Sequence, residues 1–376
     1  AIMISVVMAR FINTTLVLLF LFTCSAFAEQ RELYTTSSYI ARGKAMVADV
    51  DDYNVMFVNP AGMPLIKTPI LDFEFILEGS NNISQNLTAL FGTTSDKYWK
   101  ITDPAKLAAL NGQNTRARIG FLAAYVSDFI SFAFITNGVM DDAINTSTGT
   151  PKDTVFSAVD IAFQSSIAKS FFEDKRFRIG ATGKAVYRGN RFGTLSFAQL
   201  SSEGIKPYQN KFASEGLAFS MDLGTQYTVH YSESELSFGL AALDLCTPFG
   251  IQTKFLNDGN PTRPQILPAR VDVGIGYKVP DIFYGITLRT NLDIIKSATK
   301  MESSFKDMLH MGVEFKFPQF LSLRAGLNQL YWTAGVGVTY WILDASFATY
   351  SENTGIYDQA RTPADRRYVF QFGFYF

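Results

Sequence analysis

The sequence predicts an all-β protein, a transmembrane barrel of 14 antiparallel strands. From residue 70 onwards, apolar and polar side chains alternate in strand after strand. Tight turns alternate with long polar loops, and the final strand carries an aromatic side chain at every second position. Because successive side chains point to opposite faces of a strand, this alternation separates an apolar face from a polar one.

Composition excludes several other classes of protein. The 376 residues are 47% hydrophobic, and 33 basic residues against 34 acidic ones give a net charge of -1. This balance excludes a basic nucleic-acid binder, and 34 Phe with 27 Gly is unusual for a soluble enzyme core. Two Cys and two His leave little for a disulfide framework, a zinc site or a histidine triad. No metal and no cofactor are expected.

The N-terminus predicts an export signal over residues 1–28. Arg10 supplies the positive charge, an apolar run covers 16–22, and Ala26-Phe27-Ala28 is a cleavage site. A membrane-spanning helix would need about 20 apolar residues, which this stretch lacks. Cleavage would leave Cys246 as the single cysteine, so no disulfide is expected within the mature chain.

Fourteen strands are predicted from the alternation. In one of them Leu309, Met311 and Val313 oppose His310 and Glu314. The strands lie near 70–77, 117–127, 129–139, 154–170, 176–190, 214–231, 235–245, 268–279, 283–295, 308–317, 320–328, 332–340, 342–350 and 368–376.

Strand length favours a membrane barrel over a soluble β-sandwich, whose strands also alternate. Several runs reach the nine to eleven residues of a tilted membrane crossing, whereas ordinary strands have about five or six. A bilayer offers the backbone no hydrogen-bond partners, so the sheet must close with its apolar face towards lipid. An even strand number places both termini in the periplasm and the long loops outside.

The last strand is the most specific local signal. Its alternate positions are Tyr368, Phe370, Phe372, Phe374 and Phe376. It resembles the C-terminal signature by which outer-membrane barrels are recognised for insertion, which implies the barrel-assembly machinery as a partner. As an ordinary edge strand it would expose five aromatic side chains to aggregation.

Residues 29–69 lack the alternation and contain Asn59-Pro60-Ala61 after a polar stretch and Phe57. With 14 strands to follow, the chain resembles the family of long-chain fatty acid transporters, FadL, and its PorV-like relatives. The resemblance covers the mature chain and implies an N-terminal hatch over 29–69, with Asn59, Pro60 and Ala61 as its motif, plugging a barrel over 70–376. A plug is also expected physically, because strand side chains alone cannot fill so wide an interior.

The resemblance implies uptake of hydrophobic molecules such as long-chain fatty acids across the bacterial outer membrane, with membrane lipid around the barrel. The apolar hatch residues Met46, Val55, Met56, Phe57 and Met63 are candidates to line a slot for the cargo. Each buried CH₂ would contribute about 0.8 kcal/mol. The alternative is that the same residues form only a packed plug.

Inward-facing cations are candidates to bind a carboxylate, because arginine presents a fork that matches it. They are Arg178, Lys184 and Arg188 on one strand and Arg289 and Arg324 on others. Inward acids such as Asp160 leave a second possibility, a lumen in which these charges pair with one another.

Two further sites follow loosely from the resemblance. An external apolar groove would involve Phe192, Leu195, Phe197, Phe249, Ile251 and Phe255 of the long loops. A sideways opening would lie at Asn137 and Gly138 in the third strand, since glycine within a strand often marks a bulge. The favoured alternative is that Asn137-Gly138 begins the outer loop.

The other functions considered are a PorV-like subunit of a secretion or assembly system and a diffusion porin. An enzyme is not expected, because a hydrolase needs a base and a nucleophile placed together, whereas His230 lies at a periplasmic turn and His310 lies alone near the outer end of a later strand. No nucleic-acid partner is expected, and the protein is expected to act as a monomer.

Overall fold

The structure, a computed structural model, describes residues 32–81, 114–145, 152–196, 213–245, 247–256, 261–264, 267–297, 305–318, 320–352 and 365–376. These contain fifteen β-strands, fourteen of which form one closed antiparallel sheet. The strands are β1 Ile70–Ser80, β2 Asn114–Val126, β3 Ile130–Asn145, β4 Lys152–Phe171, β5 Phe177–Ser196, β6 Ala213–Tyr231, β7 Ser234–Leu245, β8 Ile251–Gln252, β9 Arg270–Phe283, β10 Ile286–Ser297, β11 Leu309–Lys316, β12 Leu321–Asn328, β13 Tyr331–Tyr340, β14 Leu343–Glu352 and β15 Asp365–Tyr375. The helices are α1 Ser37–Ala41, the 3₁₀ helices Tyr53–Met56 and Pro60–Leu65, and α2 Phe305–Met308.

The barrel is closed because each of these fourteen strands pairs on both sides. β1 pairs with β2 and with β15, and β5 pairs with β6 to complete the ring. The short β8 stands apart and pairs with Gly216 and Leu217 of β6. Closure gives the strand backbones the hydrogen-bond partners that lipid cannot supply. The predicted fold is confirmed.

The fourteen predicted strands coincide with the barrel strands, but β3 and β5 are longer than predicted. β3 continues to Asn145 and β5 to Ser196, because Lys152 at the start of β4 pairs with both of those residues. β4 has 20 residues, about twice the length of a membrane crossing. The prediction that Phe192 and Leu195 lie in a loop is therefore wrong, since both belong to β5.

The two faces of the sheet differ as the alternation predicted. Phe370 is 49% exposed, whereas its neighbours Val369 and Gln371 are buried on the other face. Phe75 and Ile119 are also exposed on the outside of β1 and β2. Lipid acyl chains can solvate this outer apolar surface, which would aggregate in water.

Residues 32–69, the N-terminal segment, lie inside the barrel. They bond to inward-facing side chains of strands on several sides. The backbone N–H of Ser37 donates to Gln371 of β15 at 2.7 Å, and Thr333 of β13 donates to the Ala41 carbonyl at 2.8 Å. Most side chains of the segment are buried. No helix among the described residues is long and apolar enough to cross a membrane.

Inward-facing glycines let the backbone of the segment approach the wall. At Gly326 a Cβ atom would lie 2.6 Å from the backbone nitrogen of Gly43, and at Gly180 it would lie 2.5 Å from the carbonyl carbon of Pro60. Real Cβ atoms do not approach so closely. Comparable backbone contacts occur at Gly239 and Gly312, whereas at Gly224, Gly274, Gly276 and Gly335 a Cβ would meet side-chain atoms that include those of Asn59, Val47, Asp49 and Ala41 of the segment. This glycine seat spans seven strands from β5 to β13.

We expect Gly180→Ala to displace the N-terminal segment, because the new methyl group would overlap the backbone of Pro60. Overpacking of this kind costs about 1–3 kcal/mol of stability. The thermal unfolding midpoint in detergent should fall, and protease should cut the segment faster. Gly183→Ala on the same strand is the matched control, since a Cβ there meets nothing within 4 Å. Equal midpoints for the two variants would contradict the assignment.

Candidate functional site

The Asn59-Pro60-Ala61 motif joins the N-terminal segment to the barrel wall. The Asn59 Oδ1 accepts from the Ala61 N–H at 3.1 Å and caps the second 3₁₀ helix. Its Nδ2 donates to the carbonyl of Val47 at 2.9 Å and to that of Thr225 of β6 at 3.2 Å. The asparagine is fully buried, so each polar atom needs such a partner.

The predicted slot residues form a packed interior in this structure. Met46, Val55, Met56 and Met63 are at most 1% exposed. Phe57 is half-buried and packs on Tyr34 with ring centroids 5.2 Å apart. The cargo-slot role of these residues stays a prediction, and in the state described here they fill the interior.

One side of the lumen has an apolar inner wall. Ile76 of β1, Leu122 of β2 and Ile135 of β3 point inwards, are fully buried, and share one apolar cluster with Tyr34 and Met56. This surface is a patch, because the same strands also bury charged side chains such as Glu74 and Arg118, and inward side chains on β5 to β12 are mostly charged or polar or are the glycines of the seat. An apolar molecule inside the barrel would find its matching surface at this patch of β1 to β3.

The five candidate cations do not converge on one site. Each is engaged by its own partners: Lys184 lies 2.8 Å from both Asp222 and Asp244, Arg188 contacts Asp160 at 2.6 Å, Arg289 contacts Asp51 at 2.6 Å, and Arg324 contacts Glu314 at 2.7 Å. Arg178 donates to the neutral oxygens of Gln226, Thr228 and the Lys175 carbonyl. Four of the five candidate cations are therefore paired with carboxylates inside the barrel, as the alternative prediction stated.

Charged residues of the N-terminal segment take part in this pairing and were not among the predicted site residues. Arg42 contacts Asp49 at 3.0 Å and Glu314 of β11 at 3.4 Å. Asp51 holds Arg289 of β10 through two contacts of 2.6 and 2.7 Å. The acidic run before the Asn-Pro-Ala motif was a usable signal, because a charge inside a lumen needs a partner.

Two cavities lie on opposite sides of the wall at β3. The inner chamber has a volume of about 30 Å³, room for roughly two water molecules, and Lys44, Arg188 and Glu352 are among its lining residues. The outer cleft has a volume of about 560 Å³ and is lined by Ile119, Met140, Val159 and Leu256 among others. Arg118, Val139 and Ala158 line both cavities.

Asn137 and Gly138 stand between these cavities. Gly138 lines the cleft and Asn137 lines the chamber, in the middle of β3. The expectation that they begin the outer loop is therefore wrong. Gly138 pairs in unbroken register with Ile119 of β2 and Val159 of β4, so the wall is closed here in this state.

The segment 247–256 folds against the outer part of β5 and β6. Glu215 of β6 anchors it by accepting from the Thr253 hydroxyl and the Leu256 N–H, both at 3.0 Å. Among the groove candidates, Phe192, Ile251 and Phe255 are exposed, while Phe249 is buried beneath Arg188, 5.8 Å from its guanidinium carbon. The Leu195 side chain and Phe197 lie outside the described residues.

The described ranges contain no cluster of metal ligands, and their two histidines do not lie together. No group of three His, Cys, Asp or Glu side chains there is placed to hold a metal ion. The two histidines are far apart in the fold. His310 is buried with its Nδ1 2.9 Å from the Gly43 carbonyl, and His230 lies exposed at the end of β6.

Two neighbouring carboxyls of the N-terminal segment have opposite pKa shifts. Burial alone would raise the pKa of Asp51, but the charge and hydrogen bonds of Arg289 outweigh burial and hold it below its ordinary value. Burial and the negative charge of Asp51 raise the pKa of Asp52. Asp51 thus stabilises the fold in its ionised form, whereas ionised Asp52 is disfavoured.

These shifts predict opposite pH trends for two variants. A carboxyl with a lowered pKa contributes stability above its unfolded value of about 3.9 and loses it as the pH falls further. Asp51→Asn should therefore cost about 1–3 kcal/mol at pH 7, and that loss should shrink below pH 4. Asp52→Asn should instead be at least as stable as the wild type at pH 7, because it removes a disfavoured buried charge, and that advantage should shrink as the pH falls and the wild-type carboxyl takes up its proton. Unfolding midpoints between pH 3 and 8 measure both, and parallel trends would contradict the assignment.

Comparison with solved structures matches the barrel to known channels. The CymD monoaromatic hydrocarbon channel superposes with a TM-score of 0.52 at 10% identity, covering 92% of this chain and 98% of that one. The toluene transporter TbuX of Ralstonia pickettii (TM-score 0.47, 11% identity, 92% and 99% covered) and a Pseudomonas aeruginosa FadL homologue (0.46, 11%, 91% and 98%) also match.

No family model matches the chain, and no curated protein matches its sequence. At 10% identity the likeness to CymD establishes a shared fold, and the two lower scores add no weight to it. The resemblance to FadL-type barrels that the sequence indicated is confirmed at the level of the fold.

Proposed function

We propose that this protein is an outer-membrane channel for the uptake of hydrophobic small molecules. The observation that carries the proposal is the apolar cleft outside the wall at Gly138, which shares three lining residues with the chamber inside. A molecule that leaves the lumen here would pass from one cavity to the other across a single strand. It would enter the hydrocarbon of the membrane without crossing water.

The N-terminal segment acts as the hatch in this proposal. It fills the barrel and excludes a wide aqueous path, which supports a carrier of apolar solutes over a diffusion porin. The hatch side chains Met56 and Phe57 pack beside the apolar inner wall of β1 to β3. A small movement of these side chains would open an apolar route along that wall.

Capture from outside would use the exposed aromatic and aliphatic side chains near the outer end of β5. Phe192 and Ile251 are 40% and 51% exposed, and Phe255 is 80% exposed while packing on Tyr187 with ring centroids 5.9 Å apart. Such a surface can take an apolar molecule from water, each buried CH₂ contributing about 0.8 kcal/mol. Phe249 lies inside and would meet the cargo next.

The cargo class includes long-chain fatty acids, as the sequence resemblance implies, and monoaromatic hydrocarbons, which CymD is described as carrying. The protein would reside as a monomer in the lipid of the bacterial outer membrane, after an export signal over residues 1–28 is removed. The barrel-assembly machinery would insert it through the aromatic last strand.

Filling the cleft should block uptake. Gly138→Leu should be tolerated by the fold, because a Cβ there would make ordinary contacts of 3.5 and 3.8 Å with Ile119. Its larger side chain would occupy the route, so uptake of radiolabelled toluene by cells that produce the variant should fall severalfold. Gly183→Leu, at an exposed glycine on the outside of β5, is the matched control and should transport as the wild type does.

The wild type should also show no steady ion conductance in planar bilayers. Toluene uptake at the rate of cells lacking the protein, or a stable open pore with a solute size cutoff, would overturn the proposal. Unchanged uptake by Gly138→Leu would move the route away from β3.

A further inference from the structure

Most buried cations in the described part of the lumen are already paired with carboxylates. Nine cationic side chains are buried in the described part of the chain, and eight of them contact a carboxylate: Arg42, Lys44, Arg118, Lys184, Arg188, Arg270, Arg289 and Arg367. The ninth, Arg178, is 1% exposed and donates from all three of its nitrogens to neutral oxygens.

Charges around the inner chamber fall into three ion-pair groups, each with as many cations as carboxylates among the described residues. The first joins Lys44, Arg270 and Arg367 to Glu32, Asp272 and Glu352, and the second joins Arg116 and Arg118 to Glu78 and Asp141. The third is Arg188 with Asp160 alone. The described lining of the chamber is therefore polar, with its positive charges matched by carboxylates.

In the third group both oxygens of the carboxylate are held by one arginine. Asp160 of β4 and Arg188 of β5 are direct partners in the sheet register. The Arg188 Nε lies 2.6 Å from Oδ1 of Asp160 and its Nη2 lies 2.7 Å from Oδ2, so both carboxylate oxygens are held. Both side chains are more than nine-tenths buried and both line the chamber behind β3. This is the geometry in which a cargo carboxylate would itself bind an arginine.

We propose that Asp160 determines the charge of the cargo: by occupying Arg188 it restricts this channel to hydrophobic molecules in their uncharged form. The inference rests on the proposed function and narrows its cargo class. A cargo carboxylate could reach Arg188 only by displacing Asp160, which would leave a buried carboxylate without a partner. An uncharged hydrocarbon, alcohol or ester, or a protonated acid, meets no such cost.

The test compares two cargo molecules that differ only in the head group, decanol and decanoate, at pH 8. Binding to the purified full chain in lipid nanodiscs gives a dissociation constant for each. The wild type should bind decanol at least about tenfold more tightly than decanoate. Asp160→Asn frees Arg188 and should tighten decanoate binding by about tenfold, while the double variant with Arg188→Gln should remove that gain.

Asp174→Asn is the matched control. It frees Arg176, whose Nε lies 2.7 Å from Asp174, but that pair is exposed at the turn between β4 and β5, so head-group preference should not change. If Asp160→Asn does not fold, the wild-type protein still provides a test. Its preference for decanol over decanoate should disappear when the pH is lowered far enough to protonate decanoic acid, and a preference that persists would contradict the proposal.

Each outcome has a distinct meaning. Wild-type protein that binds decanoate as tightly as decanol, or an Asp160→Asn variant with the wild-type preference, overturns the role of Asp160 and leaves the proposed function standing. Wild-type protein that binds neither molecule and does not take up toluene overturns the proposed function itself.

Discussion

The structure depends on one constraint, that backbone hydrogen bonds in a bilayer must be made within the protein. Pairing of β1 with β15 and of β5 with β6 meets it by closing the sheet. A ring of fourteen strands is then too wide for strand side chains to fill. The remaining space must hold water or more chain, and the N-terminal segment fills it here. The plug is thus a consequence of the closure.

The segment is held differently on the two sides of the barrel. From β5 to β13 the wall supplies glycines against which backbone lies directly, and it supplies ion pairs such as Arg289 with Asp51. On β1 to β4 the apolar contacts gather around Ile76, Leu122 and Ile135. Polar contacts lie beside them, from Arg118 to Thr35, from Gln164 to the Met56 carbonyl and between Tyr53 and Glu74. Apolar contacts can slide, whereas buried ion pairs resist separation because the separated charges are left in a low dielectric.

Period-two alternation was enough to predict the barrel, because a strand with one lipid face and one lumen face must alternate. It could not show where strands end outside the membrane, since β3 and β5 there depend on pairing with β4. The sequence also could not show which charged side chains pair with one another. Arg188 and Asp160 meet only through strand register, and Arg289 and Asp51 are 238 positions apart in the chain. The direction of Phe249 depended on how a loop folds back, for which the sequence carries no periodic signal.

The difference between the two sides of the barrel indicates where the wall would open. Opening on the side of the glycine seat would break ion pairs and expose backbone that lies in close contact with backbone. Opening at Gly138 would break a few ladder bonds of β3, each contributing a net 0.5–1.5 kcal/mol, and would strain the ion pair between Asp141 of β3 and Arg116 of β2, at a place where two cavities already exist. Arg118 and Asp160 flank that position on the inside, but their charges are neutralised before any cargo arrives. The easiest breach in the wall therefore leads past closed ion pairs, a path on which an uncharged molecule meets the smallest barrier.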